Sequence, residues 1–379
     1  MATLFEKTVI KSLEISNRAI RSATWEGAAD RLGSVTDRVV AIYDDLAAGD
    51  IGLIVTGFQY VMANGVAISS QVGNYSEAQL PGLTRLAAAV HSHGAKIMAQ
   101  LVHAGGKADP ALFPEEGDIC APSSVADPWT GKTSREMTRG EITTLVEAYA
   151  GAASRAQRAG FDGIQLHGAH GYGINQFLSG ASNRRADCYG GEIGNRYRFL
   201  GEVLEAVKGA VGRDYPIFMK LSGNDYCEGG LSPEESVQVG QRLVEDGADC
   251  IEVSAGSKAS AKGMVPSRTS IHREEDEAYL SGLSGYFRGM VRIPVMTVGG
   301  IRSPRVIERI LSQGLADYVA MSRPFISEPD LIKRWKSGDL RKSACVSCNG
   351  CYETGLQGLG ISCRMKNRLG KNLHPPTLR

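Results

Sequence analysis

The sequence has no run of about 18 apolar residues, so no segment is a candidate membrane-spanning helix. It also lacks an excess of charge: 42 Lys and Arg stand against 41 Asp and Glu, a formal net charge of +1. Proteins that coat nucleic acid or an anionic membrane need a basic patch or stripe, so neither partner is expected. The opening residues, Met1-Ala-Thr-Leu-Phe-Glu-Lys, show no charged n-region, apolar core or cleavage site. The expected location is therefore the reducing cytoplasm, where the 8 cysteines read as thiols or metal ligands before disulfides. A Gly-rich fingerprint is missing too. The first apolar run ends Ser22-Ala-Thr-Trp-Glu, which argues against a doubly wound dinucleotide-binding sheet.

What is present is a rhythm. Eight short apolar runs recur: 17–23, 51–57, 96–102, 163–167, 217–222, 250–255, 294–299 and 318–323. Most are β-branched and nearly continuous, as in strands buried on both faces of a parallel sheet. Segments of helical period separate them. Ser232-Pro-Glu-Glu reads as a capping box with proline in the first turn, and Ser303-Pro304 opens a helix in the same way. Gly160, Gly247 and Gly314 each stop a helix and lead through an aspartate into a strand. This alternation predicts an α/β fold, a single (β/α)8 TIM barrel. The expected division is a barrel over 1–338, with a short N-terminal hairpin at Lys7–Glu14 on its floor, and a Cys-rich C-terminal extension over 339–379.

Barrel active sites form at the C-terminal ends of the strands. Here those ends carry Ala23-Thr24-Trp25, Thr56-Gly57, Gln100 with His103, His167 leading to His170 and Tyr172, Lys220, Ser254, Gly299-Gly300, and Ser322-Arg323. Gly-rich backbone beside an arginine after strands seven and eight suits a phosphate group. His167 and His170 lack a third metal ligand nearby, and paired neutral imidazoles suit a carbonyl oxygen. Lys220 is either a Schiff-base lysine or a cation facing an anionic cofactor edge. The Gln100 amide suits a heterocycle with both donors and acceptors. Phosphate site, amide, lysine and small backbone positions together describe a flavin mononucleotide (FMN) pocket.

These residues resemble the Old Yellow Enzyme family of FMN-dependent NADH:flavin oxidoreductases, in particular the barrel of its 2,4-dienoyl-CoA reductase-like members. The stretches that carry the resemblance are Leu13-Glu-Ile-Ser-Asn-Arg, Gln100-Leu-Val-His-Ala-Gly-Gly-Lys, and His167-Gly-Ala-His-Gly-Tyr-Gly-Ile-Asn-Gln-Phe-Leu-Ser with Ser182-Asn-Arg-Arg-Ala-Asp-Cys-Tyr-Gly-Gly. The resemblance implies that backbone at Ala23, Thr24 and Gly57 lines the flavin ring and that Gln100 binds its pyrimidine edge. Lys220 would lie near N1/O2, with Gly299, Gly300, Ser322 and Arg323 around the phosphate. It further implies that His167 and His170 grip the carbonyl of an activated alkene (an enone, enoate or enoyl thioester). Hydride passes from NAD(P)H through flavin N5 to Cβ, Tyr172 protonates Cα, and a homo-oligomer is expected.

The tail carries Cys345, Cys348, Cys351 and Cys363, spaced C-x2-C-x2-C-x11-C. Relatives bind a 4Fe-4S cluster through a similar array with one more residue in the second gap. A cluster, zinc or no metal all remain open for these four cysteines. Two other functions compete: a cofactor-free lyase or aldolase using Lys220, and a flavin electron carrier or redox sensor centred on the tail cysteines.

Overall fold

The computed structural model describes residues 2–114, 117–128 and 131–369. All eight apolar runs form strands: β1 Ala19–Arg21, β2 Leu53–Tyr60, β3 Ile97–Val102, β4 Gly163–Gly168, β5 Ile217–Ser222, β6 Cys250–Ser254, β7 Val295–Val298 and β8 Tyr318–Met321. They pair in parallel and close into one barrel, with β8 beside β1. Helices such as Asp37–Ala47, Arg139–Arg158 and Pro233–Glu245 follow the strands and cover the outside. The (β/α)8 barrel is therefore present. The hairpin is present as Thr8–Ile10 paired antiparallel with Leu13–Ile15.

Side chains alternate along each strand between the helical layer and the barrel interior. Ile164, Leu166, Ile251 and Val253 join the large core under the helices. Ile20, Leu53, Met98, Phe218, Cys250 and Met296 fill the lower interior, and Ile10, Leu13 and Ile15 of the hairpin plug it from below. The upper interior is polar, because the next inward positions are Ser22, Gln100, Gln165, Lys220 and Glu252.

The Gly–Asp device has a use beyond ending helices. Gly160, Gly247 and Gly314 adopt φ of 92°, 87° and 66°. The following aspartates then reach across to the start of the preceding strand in the chain. Asp162 accepts from Ile97 N at 2.9 Å, Asp249 from Ile217 N at 2.8 Å, and Asp317 from Val295 N at 3.0 Å. Ser232 caps its helix with Glu235 completing the box, as its sequence predicts. Ser303 also stands as N-cap of the helix Pro304–Ser312, with proline in its first turn as expected, but its hydroxyl makes no cap bond and donates to the buried Glu277 at 2.7 Å. The bond to that carboxylate turns the hydroxyl away from the helix's own N–H groups.

The tail lies along the top of the barrel. Gly360 N donates to Gly27 O at 2.9 Å and Ile361 N to Glu26 O at 2.7 Å. Tyr352 stacks on Trp25, centroids 6.5 Å apart, and a Cβ on Gly355 would come within 2.8 Å of the Trp25 ring. Glycine at 355 is what lets this turn sit down on the indole.

Candidate active site

Register builds the floor of the mouth. Glu252 stands directly opposite Lys220, and Lys220 opposite His167, across neighbouring strands. Glu252 is fully buried. It takes Lys220 Nζ at 2.5 Å, Ser22 Oγ at 2.7 Å and Gln165 Nε2 at 2.9 Å. Gln165 in turn accepts from Gln100 Nε2 at 2.6 Å. A continuous chain of hydrogen bonds therefore crosses the barrel from β3 to β1. Lys220 sits at the expected strand end, but its charge is matched by Glu252, a residue sequence reasoning passed over.

The His–Tyr loop sits above this floor. His167 Nδ1 accepts from Ala169 N at 3.3 Å, which assigns the proton to Nε2. His170 takes a left-handed backbone, φ 62°, and its Nε2 meets Ser254 Oγ at 2.7 Å. The two imidazoles lie 5.1 Å apart and nearly perpendicular, and the Tyr172 ring is 5.0 Å from His167. Phe58, also unforeseen, packs on Tyr172 at 5.3 Å. The register of β2 against β3 shifts between Val55 and Phe58, and such a bulge re-aims the side chains at a strand end. Gly57 lies within it and donates to Glu26 at 2.9 Å, a buried carboxyl that Tyr43 also holds. Burial raises the Glu26 pKa.

Burial keeps the imidazoles neutral. It holds His167 and His170 well below their ordinary 6.5, with Lys220 and Lys107 adding repulsion. His103, turned towards Gly105 N at 3.0 Å, is lowered to about 4 by burial. Below pH 6.5 an unfolded chain takes up protons that these folded imidazoles refuse, so stability falls as pH drops. For His103 the loss is about 1.4 kcal/mol per pH unit between 6.5 and about 4. The expected result is a Tm level from pH 8 to 7 that declines steeply below about 6; a Tm flat down to pH 5 would contradict neutral buried imidazoles.

At the ends of β7 and β8 a cavity of about 50 Å³ is lined by Gly299, Gly300, Ser322, Arg323, Arg302 and Tyr279. Gly300 has φ 73°, and a Cβ there would meet the Tyr279 ring at 3.0 Å, so only glycine lets the backbone turn at this wall. Arg323 is buried and steadied through Nη1, which donates to Arg268 O at 2.9 Å and Asn349 Oδ1 at 2.7 Å. Thr24 and Ser322 hydroxyls touch each other, bridging β1 to β8 beside Ala23. Gly299, Gly300, Ser322 and Arg323 thus come together around one cavity, and this Gly–Arg cradle suits a phosphate.

The tail cysteines behave differently. All four are free thiols. Among the described residues, no three His, Cys, Asp or Glu side chains come together as a metal ion would need. No metal-binding set is shown at these cysteines, and no chemical step is assigned to a metal there. The Cys345 carbonyl instead accepts from Arg302 Nη1 at 2.7 Å, tying the tail to the strand-seven loop.

Among the described residues, no helix is long and apolar enough to cross a membrane. Residues 3–341 match the family model of the NADH:flavin oxidoreductase / NADH oxidase family. The chain is 38% identical to an NADH oxidase of Thermoanaerobacter brockii over 97% of its own length but 56% of that protein. It is 37% identical to an NADPH dehydrogenase of a Geobacillus species over 86% of this chain and 91% of that one. Among solved structures it resembles morphinone reductase, with TM-score 0.76, 27% identity, 94% of this chain and 96% of that chain covered. It also resembles a 2-naphthoyl-CoA reductase complex, with TM-score 0.87, 27% identity and coverage of 95% and 56%. The chain thus spans about half the length of some relatives and nearly all of others. A closed parallel barrel, a cradle at strands seven and eight, and a family match across almost all of both place this chain in the NADH:flavin oxidoreductase / NADH oxidase family.

Proposed function

We propose that this chain is the FMN-binding unit of an NAD(P)H-dependent reductase that saturates the activated C=C bond of an unsaturated carbonyl compound. The observation that carries the reading is the pair of neutral, perpendicular imidazoles beside the half-buried Tyr172. FMN would be held by backbone at Ala23, Thr24 and Gly57, by the Gln100 amide and Lys220 at its ring, and by Gly299, Gly300, Ser322 and Arg323 at its phosphate. When bound, FMN supplies hydride drawn from NADH or NADPH.

The remaining chemistry belongs to the chain. His167, whose proton is on Nε2, donates to the substrate carbonyl oxygen together with His170, and charge developing on that oxygen strengthens both bonds. Neutral donors serve here without bringing two more cations beside Lys220. Tyr172 gives its Oη proton to Cα. Burial raises the pKa of Tyr172, so the phenol stays protonated across the neutral range, and transfer to a carbanion-like centre is downhill.

The lysine-centred alternative loses its footing. An ammonium ion-paired at 2.5 Å to a buried carboxylate, and hydrogen-bonded to Ser22 at 3.0 Å, is a poor amine nucleophile. For the tail, spacing alone supports an iron–sulfur or zinc site; iron, zinc and sulfide analysis of anaerobically purified protein tests it.

Purified protein should be yellow, bleach with NAD(P)H, and recover its colour with 2-cyclohexenone. A colourless preparation that takes up no FMN would sink the proposal. Arg323→Ala should weaken FMN binding about tenfold or more, the worth of a charge-assisted hydrogen bond, and leave riboflavin binding nearly unchanged. Fluorescence titration of the two ligands separates a phosphate contact from general damage.

A further inference from the structure

Behind the His–Tyr loop lies a second chamber of about 230 Å³, larger than the phosphate cavity and outside the flavin contacts described above. Lys107 stands between it and that loop: its Nζ donates to the His170 carbonyl and lies 5.0 Å from the centre of the Tyr172 ring. Gly171, which follows His170, forms part of the wall. The chamber therefore adjoins the reacting centre on its His170 side.

The polar groups of the wall are largely spent on one another. Gln176 accepts from Gly106 N at 2.9 Å and donates to Gly171 O at 2.8 Å. Asn175 accepts from Gly171 N at 2.6 Å and donates to Asp225 at 3.2 Å. Ser134 donates to Ser123 O at 3.0 Å. What the wall offers a ligand is the methyl and methylene surface of Ala121, Val125, Ala126, Pro128, Ala181 and Ala259. Lys107 and Asp127 also line it, but a space whose polar wall is largely satisfied and whose remaining surface is mostly hydrocarbon takes an apolar group.

We propose that this chamber binds an apolar arm carried on the carbonyl carbon of the substrate, so that the preferred substrates are unsaturated carbonyl compounds extended on that side and not at Cβ. The inference rests on the reading that His167 and His170 hold the carbonyl oxygen. The carbonyl carbon is then the substrate carbon nearest His170 and Lys107. Cβ lies two bonds further away, so a substituent on Cβ starts out pointing elsewhere.

Two isomeric ketones test this, 1-octen-3-one with its pentyl arm on the carbonyl carbon and 3-octen-2-one with its butyl arm on Cβ. Ala181, half-buried, and Ala259, exposed, form outer wall where a larger side chain can be added without breaking the core. Ala181→Phe and Ala259→Phe should each raise KM for 1-octen-3-one about tenfold or more, with kcat retained. Both should leave 3-octen-2-one and methyl vinyl ketone unchanged. Equal effects on the two isomers, or none on either, would overturn the proposal. If the wild type reduces none of the three ketones, the parent reading has failed and calorimetry with saturated 3-octanone decides the chamber. Binding lost in the filled variants supports it, and equal binding refutes it.

Discussion

Replacing His167 with alanine is expected to lower kcat/KM for 2-cyclohexenone by about 100-fold or more, the usual loss when one preorganised donor is removed from a developing oxyanion. The imidazole is buried, neutral and assigned its proton at Nε2 by the bond its Nδ1 takes from Ala169 N, so its alignment costs nothing at the moment of reaction. His167→Asn, which keeps an N–H donor, should recover part of the loss. FMN content and the rate of flavin bleaching by NAD(P)H should change far less than enone reduction in His167→Ala. If the alanine variant reduces enones at the wild-type rate, the imidazole pair is not the carbonyl grip.

Glu252→Leu should be the most destabilising single change in the barrel interior. Lys220 would be left as an uncompensated buried charge, an expected loss of about 3–5 kcal/mol and a fall in Tm on the order of 10 °C. Ser22 and Gln165 would lose their acceptor at the same time. The double variant Glu252→Leu/Lys220→Met should regain most of that stability, because a buried pair can often be exchanged for apolar groups with little loss. Thermal melts of the two variants check the account. A double variant as unstable as the single one would show that the damage comes from packing and not from charge. Flavin affinity of the double variant then reports how much Lys220 gives to the cofactor as one half of a neutral pair.

Strand positions were legible because a parallel barrel buries both faces of each strand, which leaves continuous apolar runs between polar, periodic helices. The His167–Tyr172 loop and the Gly299–Arg323 cradle were legible because chemistry-bearing residues sit at strand ends, where barrel topology gathers them. Glu252 had a faint signal, a single acid inside the run Cys250-Ile-Glu-Val-Ser. Nothing local says that it faces inward or that Lys220 is its partner, since both follow from the register of β5 against β6. Phe58 had no signal, because a bulge within β2 aims it. The Ser303 hydroxyl misses its cap bond for a similar reason: its acceptor Glu277 lies 26 residues away in sequence.

The order and kind of the elements, the barrel closure and the identity of the mouth residues follow from local pattern, because periodicity and helix stops are written within a few residues of where they act. The matched charge on Lys220, the packing of the tail on Trp25 and the side chamber behind Lys107 belong to the closed barrel alone. Each depends on residues tens to hundreds of positions apart, whose meeting is decided by strand register and loop packing. The four tail cysteines mark that boundary. Their spacing is a local pattern that suggests a metal, but gathering sulfurs around an ion is a tertiary act that no local spacing specifies.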